Sequence, residues 1–130
     1  KKVYLAGITP GVDNPKVLKT AKGCEKNVEV LRCADITGTV QTLKDLGYVV
    51  AGAETGSGSV DLRDYTMPSK SVFIFGNEEI GLTSEAVGLC DYIISIRMTG
   101  KKNSMNVASA ASVLMYEYSR NYPLAAPGSP

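Results

Sequence analysis

From Phe75 to Leu82 the chain reads Phe-Gly-Asn-Glu-Glu-Ile-Gly-Leu, directly behind the apolar run Ser71–Phe75. Two glycines enclose an amide and two neighbouring carboxylates. This is no phosphate cradle: no Gly-Lys-Ser/Thr follows, the spacing is not G-x-G-x-x-G, and the carboxylates would repel an anion. Acceptors here suit a neutral or cationic ligand that carries donors: a ribose, an exocyclic amine, an ammonium or a sulfonium. Gly76 lets a backbone come close to such a ligand. The alternative is that Glu78 and Glu79 are simply charges capping the helix that follows.

A second stretch, Met98-Thr-Gly-Lys-Lys-Asn-Ser-Met-Asn-Val107, runs from a strand through a glycine and two lysines into a helix. Ser104 and Asn106 fall where a helix start leaves backbone N–H groups free. Asn103 or Ser104 could also be a plain N-cap. Lys101 and Lys102 read as solvated loop charges, or as phosphate contacts if the partner is a nucleic acid. The small residues Ala108 to Ser112 predict close approach to another backbone.

The elements that must position these groups follow from periodicity. Apolar runs at Val3–Ile8, Val28–Cys33, Tyr48–Ala53, Ser71–Phe75 and Tyr92–Ile96 predict five strands. The last three are nearly continuous in apolar residues, as in a parallel sheet covered on both faces. Helices are predicted at Lys16–Lys22 behind Asn14-Pro15, at Ile36–Leu46 ending at Gly47, in a short piece from Thr83, and at Ser104–Arg120. Alternation of the two gives an α/β fold: a mostly parallel sheet with helices on both faces. Glycine-rich segments at 52–58, 76–81 and 99–104 each follow a strand. In such sheets ligands bind beyond the carboxyl ends of the strands, so three loops are expected to share one pocket.

Bulk properties narrow the field. A chain of 130 residues with net charge +1 is an ordinary single-domain globular composition, and any nucleic-acid face must come from local clustering. Histidine is absent, which removes the commonest general base and the commonest metal ligand. Cys24, Cys33 and Cys90 have no metal-ligand spacing; they read as reduced, small buried hydrophobes in a cytoplasmic protein. No apolar run approaches the ~20 residues of a membrane span. The chain opens on a strand-like run with no cap before it, which reads as a trimmed start. Residues 121–130, with three prolines, read as a flexible tail.

Taken together, Phe73-Ile-Phe-Gly-Asn-Glu-Glu-Ile-Gly-Leu82, its continuation through Leu89-Cys-Asp91 to Ile94-Ser-Ile-Arg-Met98, and Asn103-Ser-Met-Asn-Val-Ala-Ser-Ala-Ala111 resemble the second and third motifs of the SpoU class of SPOUT RNA methyltransferases. The likeness extends more loosely over residues 3 to 120. It implies transfer of a methyl group from S-adenosyl-L-methionine to the 2′-hydroxyl of a ribose in tRNA or rRNA, a homodimer, no metal and no membrane. It also implies a deep C-terminal trefoil knot, threaded by about Ile74 to Arg120, in a methyltransferase domain spanning 1–120. Ala53, Gly76, Ile96 and Met105 would line the cofactor site. Ser104 and Asn106 would place the target nucleotide, and Glu78 would hold the catalytic arginine or another loop. Two departures stand out. Arg97 replaces a usual proline, and the first strand with its motif-1 helix, which carries that arginine, has no counterpart here; Arg32 lies in the wrong context to replace it. An incomplete SPOUT-fold RNA-binding or dimerisation module is the alternative, and a flavodoxin-like nucleotide binder the third reading.

Overall fold

The computed structural model describes residues 1–125 and 128. The predicted tail falls partly on 126, 127, 129 and 130, which lie outside the described residues. The chain divides after Thr42 into two compact units.

In the first unit β1 (Lys2–Ala6) pairs parallel with β2 (Glu29–Cys33), in a register running from Lys2 opposite Glu29 to Ala6 opposite Cys33. Between them lies α1 (Pro15–Ala21). Asn14 caps it by accepting from the Lys16 N–H, and proline fits the first turn because no partner is needed for a missing N–H there. Lys22 closes the helix in a left-handed conformation. Arg32 donates to the Thr9 carbonyl at 2.7 Å, so its guanidinium serves the turn after β1. The Cys33 thiol is buried and donates to Thr39 Oγ1 at 3.2 Å. Cys24 is exposed, contrary to its reading as a buried hydrophobe: it begins a single 3-10 turn, Cys24–Asn27, in which no residue is buried.

Helix α2 (Ile36–Asp45) leads into the second unit and stops as predicted at Gly47, whose φ of 86° no β-carbon-bearing residue adopts cheaply. The Gly47 N–H reaches the Lys44 carbonyl and the Tyr48 N–H the Leu43 carbonyl, the paired closure of a Schellman motif. The second sheet then contains β3 (Val49–Ala53), β4 (Val60–Asp61), β5 (Ser71–Phe75) and β6 (Tyr92–Ser95), in the spatial order β4-β6-β3-β5, all parallel. The strands thus form two sheets rather than one. β4 was not predicted: two residues next to a Gly/Ser loop leave no periodic signal.

The sheet is covered on both faces, which explains the nearly unbroken apolar runs. On one face Ala51 and Ile94 are buried with Leu62, Met67 and Leu114, the last from α4 (Val107–Asn121). On the other, a β-carbon added at Gly52 would lie 2.7 Å from Leu82 and 2.9 Å from the Cys90 sulfur, so glycine allows the segment around α3 (Ser84–Leu89) to pack close. Helix α4 starts later than predicted, at Val107. Asn103, Ser104 and Asn106 can all cap, and Asn106 does, accepting from the Ala108 N–H at 2.9 Å. The Tyr118 and Tyr122 hydroxyls anchor the far end by donating to the Ser69 and Met67 carbonyls at 2.6 and 2.9 Å.

Candidate functional site

The carboxyl ends of β3, β5 and β6 all open into loops at one edge of the second sheet, and a residue that sequence reasoning passed over ties two of them together. Glu54 continues the ladder past β3, its N–H donating to the Ile94 carbonyl at 3.1 Å. Its carboxylate accepts from the Thr55 N–H at 2.9 Å and from the Leu82 N–H at 3.0 Å. One oxygen occupies the space where a β-carbon at Gly81 would stand, and Gly81 has φ 68°, so glycine is required there twice over. Backbone donors to a carboxylate are charge-assisted and stronger than neutral pairs. The only signal in the sequence was an acid set immediately behind a buried strand.

The loop after β5 is a tight turn. Asn77 and Gly81 exchange backbone hydrogen bonds at 3.1 and 2.8 Å, and the Asn77 side chain accepts from the Glu79 N–H at 2.8 Å. Gly76 faces the backbone of Gly81 and Leu82, which fill the space of a β-carbon. Its close backbone approach is therefore to its own loop. Glu78 stands exposed at the tip of the turn, with no hydrogen bond or ion pair among the described residues.

The loops after β3 and β6 meet directly, Thr55 Oγ1 donating to the Asn103 carbonyl at 3.4 Å. Between them lies an open cleft of about 390 Å³, bordered by Thr55, Ser59, Asp61, Ser95, Ile96, Arg97, Met98 and Lys102 among others. Ile96 and Met98 give it an apolar wall. Ser59 and Ser95 spend their hydroxyl protons on the Gly56 and Val60 carbonyls. Asp61 is held by Arg63 at 2.9 and 2.7 Å in a two-pronged pair, and the Arg63 guanidinium and backbone N–H bring its carboxyl down to about 2.

The predicted residues distribute unevenly over this edge. Ala53 and Ile96 both pack on the core beneath it, and Ile96 also borders the cleft. Met105 is 37% exposed in the segment before α4, offering apolar surface. Ser104 and Asn106 are exposed in the same segment. Capping uses the Asn106 amide oxygen and leaves its NH₂ group without a partner among the described residues. Glu78, Ser104 and Asn106 make no hydrogen bonds to one another. Of the three loops expected to share a pocket, those after β3 and β6 line one cleft, and that after β5 joins them through Glu54.

A family model described as the SpoU rRNA methylase family matches residues 1–116. A relative in Staphylococcus haemolyticus, assigned to the TrmH family of tRNA/rRNA methyltransferases, is 36% identical over 104 residues, covering 80% of this chain and 41% of its own. Among solved structures, the SpoU methyltransferase AviRb of Streptomyces viridochromogenes in complex with AdoMet superposes with a TM-score of 0.82 at 27% identity, over 92% of this chain and 49% of that one. The TrmH/SpoU tRNA modifying enzyme of A. aeolicus gives 0.78 at 26%, over 92% of this chain and 60% of the other. The chain thus spans less than half the length of the curated relative and about half or somewhat more of the two solved chains.

Proposed function

Because the chain belongs to the SpoU rRNA methylase family, we propose that it takes part in S-adenosyl-L-methionine-dependent methylation of RNA at the 2′-hydroxyl of a ribose in tRNA or rRNA. The observation that carries this reading is the junction of the β3, β5 and β6 loops at the carboxyl edge of the sheet through Glu54 and Thr55.

The residues present suit the cofactor. Ile96 and Met105 offer apolar surface for an adenine, and Ala53 packs on the same core cluster as Ile96. Gly76 contributes by letting its loop close tightly. Bound there, S-adenosylmethionine supplies a methyl group activated by its sulfonium charge. The work of the chain is then to hold donor and acceptor in line, which supplies much of the acceleration in such displacements. Ser104 and the free NH₂ of Asn106 orient the ribose or its phosphate. Glu78, at the exposed tip of its turn, fixes a neighbouring loop or an arginine.

The same reading assigns residues 1–120 to one cytoplasmic methyltransferase domain with the deep trefoil knot. In support, β6 inserts between β3 and β4, and α4 is tied back to residues 67 and 69. Among the described residues no helix is long and apolar enough to cross a membrane. A homodimer is supported by α4, where exposed Ala108, Ser109 and Ser112 lead to Met115 and Tyr116, which are 60% and 68% exposed.

A second reading, a non-catalytic RNA-binding or dimerisation module, draws on the absence of any hydrogen bond linking Glu78, Ser104 and Asn106. Incubation with methyl-labelled S-adenosylmethionine and total RNA, followed by nuclease digestion and mass spectrometry of the nucleosides, separates the two. Label on a ribose 2′-oxygen supports the enzyme; label on a base refutes the assigned chemistry; RNA binding without transfer favours the module.

A further inference from the structure

The cleft at the ends of β3 and β6 carries an electrostatic imbalance. Asp61 is the carboxylate on its wall, and Arg63 already chelates it with both prongs. Arg97 and Lys102 also border the cleft, are exposed, and make no hydrogen bond or salt bridge among the described residues. The cleft's three hydroxyls have given their protons to backbone carbonyls. Arg97 acts on Asp61 only as a nearby charge, behind the bonded Arg63, so the cleft's side-chain cations without a hydrogen-bonded partner are Arg97 and Lys102, and the ligand they favour is an anion. A guanidinium fits two oxygens of one phosphate, whereas an ammonium acts as a point charge. Two separate cations on an open, solvated cleft match a run of charges better than one enclosed carboxylate.

We propose that Arg97 and Lys102 form a phosphodiester subsite that seats the backbone of the substrate RNA next to the methyl-transfer site. The proposal rests on the RNA methyltransferase reading above.

The test compares wild type, Arg97→Gln/Lys102→Gln and the equal-charge control Lys16→Gln/Lys19→Gln. Affinity for fluorescently labelled, unfractionated transfer RNA is followed by anisotropy across a salt series, and S-adenosylhomocysteine binding by calorimetry. The cleft variant is expected to lose tenfold or more in RNA affinity. Its slope of log K against log salt should flatten by about 1.5, the release from two phosphates. The control's RNA affinity should stay within twofold of wild type, and the cleft variant's RNA affinity should fall by a larger factor than its S-adenosylhomocysteine affinity. Unchanged RNA affinity and slope in the cleft variant overturn the subsite. So does an equal loss in the control, which marks diffuse attraction, and so does a loss confined to S-adenosylhomocysteine, which marks a carboxylate contact. Wild type that binds RNA through the cleft yet never binds S-adenosylhomocysteine refutes the methyltransferase reading and leaves the subsite standing.

Discussion

Glu54 and the glycines around it set the geometry of the candidate site, and each has a separable consequence. Removing the Glu54 carboxylate leaves the Thr55 and Leu82 N–H groups without their acceptor. Hydrogen bonds to a charged group contribute about 1.5–3 kcal/mol each where buried, and Glu54 is only half-buried. Glu54→Ala is therefore expected to cost about 1–3 kcal/mol in urea denaturation and to weaken S-adenosylhomocysteine binding at least tenfold. Gly76→Ala forces a β-carbon into the Gly81–Leu82 backbone, which cannot swing aside as a side chain can. Its melting temperature should fall by several degrees, whereas Gly100→Ala, with nothing within 4 Å of the added carbon, should leave it unchanged. The glycine-amide-acid sequence pointed to this loop. It did not reveal that Gly76 serves the turn's own closure, because the backbone it meets lies five and six positions on, across a reversal of the chain. Glu54 was invisible for a stronger reason: its partner Leu82 is 28 residues away.

At the scale of elements, local chemistry was a good guide wherever it was unambiguous. Ser71–Phe75 and the helix stop at Gly47 stand as the residues predicted, and Asn14 caps α1 next to its proline. Where several residues could do one job the prediction slipped, as at the start of α4, and β4 was too short to leave a pattern. Long-range packing decides those cases. Leu114 is the point where α4 enters the core, 1% exposed against Ile94 and Met67. Leu114→Ala should cost about 2–5 kcal/mol by chemical denaturation, as cavities in packed cores do. The junction before β6 depends on Asp91, which accepts from the Val50 N–H at 2.8 Å and pairs with Lys44 at 2.9 Å. The Val50 N–H first, and then Lys44, hold its carboxyl below the ordinary 3.8. A carboxyl depressed in the folded state stabilises fully above its unfolded value and loses that contribution as pH falls through the folded one. The difference in melting temperature between wild type and Asp91→Asn should thus be largest near neutral pH and close as pH drops below about 4. A gap that stays constant into acid would contradict this assignment.

For the whole molecule, the parallel α/β organisation was readable from strands alternating with helices, while the division into two sheets was not: strand order depends on pairings between segments far apart in the chain. The same holds for assembly. An exposed stripe on α4 ending in Met115 and Tyr116 is the surface proposed for self-association. Met115→Glu/Tyr116→Glu should shift the protein from dimer to monomer in sedimentation velocity without lowering its melting temperature by more than a few degrees; a monomeric wild type would remove the dimer from the account. The functional claim on which the other proposals depend is that the loops at 53–59, 76–82 and 96–106 together receive an S-adenosyl nucleoside. Hydrogen–deuterium exchange with and without S-adenosylhomocysteine tests it directly. Slowed exchange in all three segments, with the rest of the chain unaltered, is the expected result. Saturating ligand that leaves these segments unchanged, or protects a different part of the chain, would contradict it.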